Sequence, residues 1–383
     1  MPHATADRLR PVYFHTGLQS FVEASGGIFI AGFLVSRGMS YPAALASFAV
    51  ILLSRFALRG AVLPLAKAAG LRSVVLTGIA IRTISFLILP HVDGIGPLLA
   101  VFLLVSGFGS VLYWTGYHAF VSSLGDSSQG GRQVSIQQAT AAIVGVVAPI
   151  VGGLLLARAG AAIGFGVIAG IQALAAVPLL TAPNPSVPAR ATLDHKAMHF
   201  ARTLYLNEGF HAGCSVVLWN LALFASLGEH FDSFGGAIAV AGLAAAAGSV
   251  LVGKLIDGGR PQHSLALAYG AAALALVLKG AAYGSPWLAV GATALGALVT
   301  PMAATAMLTP LYGMARRSPC VLRFNMATEG GWDLGCSAAC LLAAGVLQAG
   351  GTFRLPILAG LAAVLTMALM LSRWYGRSQT VQA

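Results

Sequence analysis

The chain has 383 residues, of which 57% are hydrophobic and 9% charged, and its Lys and Arg exceed its Asp and Glu by +11. An ordinary soluble protein carries roughly 25% charge, so the solvent for most of this chain is lipid. Runs such as 237–247 are apolar on every face, which excludes the alternation of a transmembrane barrel and leaves helices as the spanning structure.

A hydrocarbon core about 30 Å thick takes about 20 apolar residues per helix. Twelve segments qualify, near 13–36, 42–64, 73–90, 96–121, 134–157, 160–181, 204–227, 233–254, 264–283, 286–309, 324–348 and 354–372. The expected fold class is all-α membrane. With the N-terminus placed in the cytoplasm, fifteen of the 22 Lys and Arg lie on that side, four lie opposite, and Arg55, Arg59 and Arg82 lie within helices. That positive-inside bias predicts a multi-pass protein of a cell membrane, the bacterial inner membrane, with both termini cytoplasmic. It also explains the basic balance without nucleic acid, which would need one solvated basic patch.

Ionisable residues inside a span are costly and call for a cavity or a partner. The first segment sets His15, Gln19 and Glu23 four apart on one stripe, and it lacks the small-residue cleavage site of a signal peptide. The second carries Arg55 and Arg59 one turn apart. They can pair with Glu23 or hold a carboxylate or phosphate of a substrate. Arg82 in the third segment has no obvious place. The fourth supplies the cluster Tyr113, Trp114, Tyr117 and His118, and the fifth Gln137 and Gln138.

Three prolines between Thr181 and Arg190 then stop the sixth segment and predict a linker over 183–202, between bundles at 1–182 and 203–383. In the seventh segment His211 is expected to line a central cavity, and Trp219 and Asn220 to close its far end. The eleventh sets Asn325, Glu329 and Asp333 four apart, with Trp332 beside them. Two carboxylates one turn apart repel, which makes one of them easier to protonate. Glu329, Asp333, Glu23 and His118 are therefore the candidate proton carriers, the last because imidazole titrates near neutrality. Cys214, Cys320, Cys336 and Cys340 form no framework and read as small buried residues. Gly248 to Lys254 has the spacing of a phosphate loop but lacks the Ser or Thr and the preceding strand.

The halves repeat. Tyr13 and Gly17 recur as Tyr205 and Gly209, Arg72 as Arg260, and Arg132 as Arg323, at offsets of 192, 188 and 191. The loop Gly253-Lys254-Leu255-Ile256-Asp257-Gly258-Gly259-Arg260 is a compressed form of Gly-x-Leu-Ala-Asp-Arg-x-Gly-Arg, the loop after helix 2 in the major facilitator superfamily. Lys67 takes the aspartate's place in the first half. Apart from Ala148 in the first glycine's place, Ala148-Pro149-Ile150-Val151-Gly152-Gly153 resembles the helix 5 pattern Gly-Pro-x-x-Gly-Gly of proton-driven exporters in that superfamily. Over nearly its whole length the chain thus resembles a major facilitator transporter. The resemblance implies twelve helices in two six-helix bundles, with Gly253, Asp257, Arg260, Pro149, Gly152 and Gly153 in gating positions.

The expected function is proton-coupled secondary transport by alternating access, exporting a small organic compound, an anion among the candidates, by antiport. Alternatives are a proton-coupled importer of an organic anion and a non-transporting receptor or scaffold. Substrate contacts are expected from Arg55, Arg59, Gln19, Tyr117, Trp114, Gln137, Gln138, His211, Trp219, Asn220, Asn325 and Trp332. No enzyme motif, metal ligand set or cofactor is expected. The expected partners are substrate, protons and lipid, for a monomer.

Overall fold

The computed structural model describes residues 2–124, 143–188, 194–256 and 261–380. Among these described residues ten helices are long and apolar enough to cross a membrane: α1 (Arg10–Ser36), α2 (Tyr41–Ala69), α3 (Leu71–His91), α4 (Pro97–Leu124), α6 (Ala161–Thr181), α7 (His195–Ser226), α8 (Phe231–Ile256), α9 (Pro261–Ala282), α11 (Val321–Gln348) and α12 (Arg354–Thr380). The apolar stretches of α5 (Ile143–Ala159) and α10 (Pro286–Arg317) are shorter. The twelve match the expected order, and no strand occurs among the described residues. The predicted all-α membrane class therefore holds.

Local chemistry sets the boundaries. Ser40 caps α2 by accepting from the Ala43 amide, and Gly70 and Gly160 turn the chain between helices with φ of 84° and 82°. Helix α7 starts at His195, inside the predicted linker, because Asp194 accepts from the Lys196 and Ala197 amides. Its first two turns are polar, so the apolar stretch read from sequence begins only near 204, yet a capped end holds them helical. Residues 184 and 185, in the described part of the predicted linker, are tied to the first helices. The Asn184 amide donates to Ala69 O, the Leu71 amide to Pro185 O, and Arg72 to the last carbonyls of α6 at Leu180 and Ala182.

Helices meet where side chains are small. Gly331 and Gly335 on α11 lie against the α7 backbone at Arg202 and Leu206, and Gly242 on α8 lies against Gly145 on α5. A side chain at Gly335 would strike backbone, which cannot yield as a rotamer can. Gly335→Val is expected to destabilise the protein by about 1–3 kcal/mol or more, read as a lower melting midpoint in detergent. The first six helices meet the last six along α2 and α11, α4 and α11, and α5 and α8. Pro149 and Gly153 lie on that α5 face, against Gly235 and Phe231 of α8, whereas Gly152 lies against Ser25 of α1. Asp257, Arg260, Gln137 and Gln138 lie outside the described residues. Of Gly253, only its place in α8 is described.

Candidate functional site

Helix α2 breaks into a short 3-10 turn at Arg59–Ala61, which carries Arg59 into contact with α4 and α11. Arg59, only 5% exposed, pairs with Asp333 and, at 3.2 Å, with Glu329, and donates to the Thr115 hydroxyl at 2.7 Å. Arg55 lies 3.2 Å from Asp333 and over the Trp332 ring. Glu329 also meets His118 Nδ1 at 2.8 Å and accepts from Thr115 at 3.3 Å. Two guanidinium and two carboxylate groups thus cancel inside a low-dielectric layer, where an unmatched charge would be costly. The layer joins the two halves of the chain.

A second network lies within the first half. Glu23 on α1 accepts from Arg82 on α3 at 2.5 Å and from Gln19 at 2.8 Å. Gln172 on α6 donates to Gln19 at 2.9 Å, and Arg82 donates to Ser110 at 2.8 Å and stacks on Tyr113. His15 places Nδ1 2.7 Å from the Ala175 carbonyl and Nε2 2.9 Å from the Tyr113 hydroxyl. A carbonyl only accepts, so Nδ1 carries a proton, and in the neutral ring Nε2 accepts from Tyr113. Above this network opens a cavity of about 390 Å³. Its walls are Thr16, Gln19, Ser20 and Glu23 on α1 and Trp114 and Tyr117 on α4. They offer hydroxyls, an amide, one carboxylate and two aromatic faces.

The structure brings many of the residues singled out from sequence together in two clusters. Glu329, Asp333, His118, Arg55, Arg59 and Trp332 come together in one cluster, and Glu23, Gln19, Tyr117 and Trp114 in the other. The pairing differs from expectation: Glu23 takes Arg82, which had no assigned role, and Arg55 goes to Asp333. Trp219 does not close the cavity. It is 1% exposed, donates its indole N–H to Thr293 and carries Lys279 over its ring. His211 sits 3.7 Å from Glu208 in a separate small pocket with Lys279. Asn220 lies beside Ile28 and Gly32, where α1 meets α7, and Asn325 is buried in α11 one turn before Glu329. Thr115, Ser110 and Gln172 were missed, although Gln172 is conspicuous as the one strongly polar side chain in 161–180.

At the end of the molecule opposite the N-terminus, the halves meet again. Tyr41 at the start of α2 donates to Glu229 in the α7–α8 turn, and its ring meets Phe353 edge-on. Phe29 packs on Phe231 and Phe234 beside them. Glu229 has φ of 63°, a left-handed conformation costing a non-glycine residue about 1–2 kcal/mol. The Tyr41 bond and the turn geometry hold it there. Tyr41→Phe is therefore expected to loosen this closure, seen as faster labelling of Asn220→Cys by a membrane-impermeant maleimide. An unchanged labelling rate would show that the Tyr41–Glu229 bond does not hold this contact closed.

No sequence model of a protein family matches the chain, and no curated protein matches it in sequence. Solved structures do match. A mutant of the nucleoside transporter NupG superimposes with a TM-score of 0.67 and a second NupG structure with 0.64, each at 12% identity over 95% of this chain and 98% of that chain. Near-complete coverage at such low identity shows a shared architecture and leaves the chemistry of the site to its own residues. The chain thus shares the fold of the solved nucleoside transporter structures.

Proposed function

We propose that this protein is a proton-coupled secondary transporter that exports a small, polar, ring-bearing compound in exchange for protons, by rocking residues 1–182 against 203–383. The observation that carries this reading is the α1–α4 cavity, whose floor is a protonatable carboxylate, Glu23, and whose wall is aromatic. Flat rings stack on Trp114 or Tyr117, while Thr16, Gln19 and Ser20 offer hydrogen bonds. Arg55 and Arg59 are matched by carboxylates, which favours a neutral substrate over the anion weighed from sequence. The Glu329–His118 pair offers a second protonation site, at the contact between the halves.

Export draws support from the Pro149-to-Gly153 stretch, which packs between α1 and α8 where rocking would change the contact. The positive-inside bias supports cytoplasmic termini in a bacterial inner membrane, and the chain is read as a monomer.

Because the fold is shared with a nucleoside transporter, tritiated uridine is a rational first probe, followed by a panel of neutral aromatic and sugar-like compounds. Purified protein in liposomes would be given a pH gradient of either sign. Accumulation driven by an acidic lumen is the antiport result, since protons leave as substrate enters. Accumulation driven by an acidic exterior is symport, the importer alternative. Flux indifferent to both gradients would overturn proton coupling.

A further inference from the structure

Helices α7, α10 and α12 run past their apolar stretches at the end that carries the N-terminus, and a hollow of about 620 Å³ opens between them. Three basic side chains stand on its rim, one from each helix: Lys196, Arg317 and Arg373. All three are exposed, and none makes an ion pair among the described residues. One carboxylate, Asp194, shares the rim, but it is bonded to the first amides of α7. The rim is therefore net positive.

The floor has the opposite character. Met314 and Phe324 are buried, and Phe200 stacks on Trp374 with ring centroids 5.1 Å apart. Aromatic rings at this level, with cations just beyond them, are the pattern of a membrane–water interface. A soluble anion would use the rim and leave the apolar floor wet. A neutral lipid would use the floor and leave three cations unmatched. Only a molecule with an anionic head and an apolar body satisfies both parts.

We propose that this hollow is a binding site for an anionic phospholipid, its phosphate held by Lys196, Arg317 and Arg373 and its glycerol and upper acyl chains lying on Phe200, Met314 and Trp374. The site is separate from the α1–α4 cavity and does not depend on what that cavity carries. It ties together the ends of three helices in the second half, so an occupied site stabilises that half.

The test is thermal unfolding of the purified full-length protein in detergent with added dioleoylphosphatidylglycerol, dioleoylphosphatidylcholine or inorganic phosphate. Phosphatidylglycerol is expected to raise the midpoint by several degrees, and the other two are not. The combined variant Lys196→Gln, Arg317→Gln and Arg373→Gln should lose most of that shift. An equal shift from phosphatidylcholine, or a shift undiminished in the variant, would overturn the proposal. An equal shift from inorganic phosphate would reassign the site to a soluble anion. If the variant fails to fold, the unaltered protein and Trp374→Phe in lipid nanodiscs provide a second reading. The fluorescence attributable to Trp374 should be quenched more by brominated phosphatidylglycerol than by brominated phosphatidylcholine, and equal quenching would again count against the site.

Discussion

Replacing Arg59 with methionine is expected to destabilise the protein by about 3–5 kcal/mol, the cost of leaving a buried carboxylate unmatched. Arg59 contacts Asp333, Glu329 and Thr115, and Asp333 is fully buried. Removing the guanidinium leaves Arg55 and the imidazole of His118 against two carboxylates. Asp333→Asn creates the opposite excess, with two guanidinium groups against Glu329. The double variant Arg59→Met/Asp333→Asn restores charge balance, with Arg55 facing Glu329, and should melt above either single variant. A melting midpoint for the double variant that is the sum of the single losses would show that the groups do not act as one unit. The same cluster fastens α2 to α11, so single variants should also populate less of the arrangement described here.

Much of this cluster was legible because helical spacing is local. Asn325, Glu329 and Asp333 fall on one stripe in any helix, and so do Arg55 and Arg59. Which arginine meets which carboxylate was not legible, because the choice depends on how distant helices pack. Glu23 takes Arg82 instead of Arg55 because Gly109 on α4 leaves room for the Arg82 side chain to cross it. No rule of spacing along α3 contains that information. The misplacement of Trp219 has a different cause. Lys279 of α9 lies over the Trp219 ring and lines the pocket that holds His211, so both side chains pack within the second half instead of on the α1–α4 cavity. The early start of α7 was hidden for a third reason: hydropathy finds the lipid-facing part of a helix, whereas Asp194 caps a polar part beyond it.

Glu23→Gln is expected to abolish accumulation driven by a pH gradient, down to the level of protein-free liposomes, while exchange of substrate across the membrane persists. The Glu23 side chain is 34% exposed toward the cavity, so protons can reach it, whereas its partner Arg82 is 9% exposed. When charged, Glu23 accepts from Arg82 and Gln19 and keeps lone pairs free for an N–H or O–H of a substrate in the cavity. Protonation removes the charge and takes one of those lone pairs, which weakens the hold on substrate. In the proposed mechanism substrate and proton thus compete for the same two oxygen atoms. Such competition is what exchange requires, because the site empties of one as it takes the other. Glutamine at 23 fixes the neutral condition at every pH, so substrate still crosses at higher concentration but the gradient has nothing to act on. Asp333→Asn serves as the contrast, since Asp333 is closed to solvent and its loss should lower stability more than coupling. Full gradient-driven accumulation by Glu23→Gln would move the proton to Glu329 and His118, and the same liposomes with Glu329→Gln would decide between them.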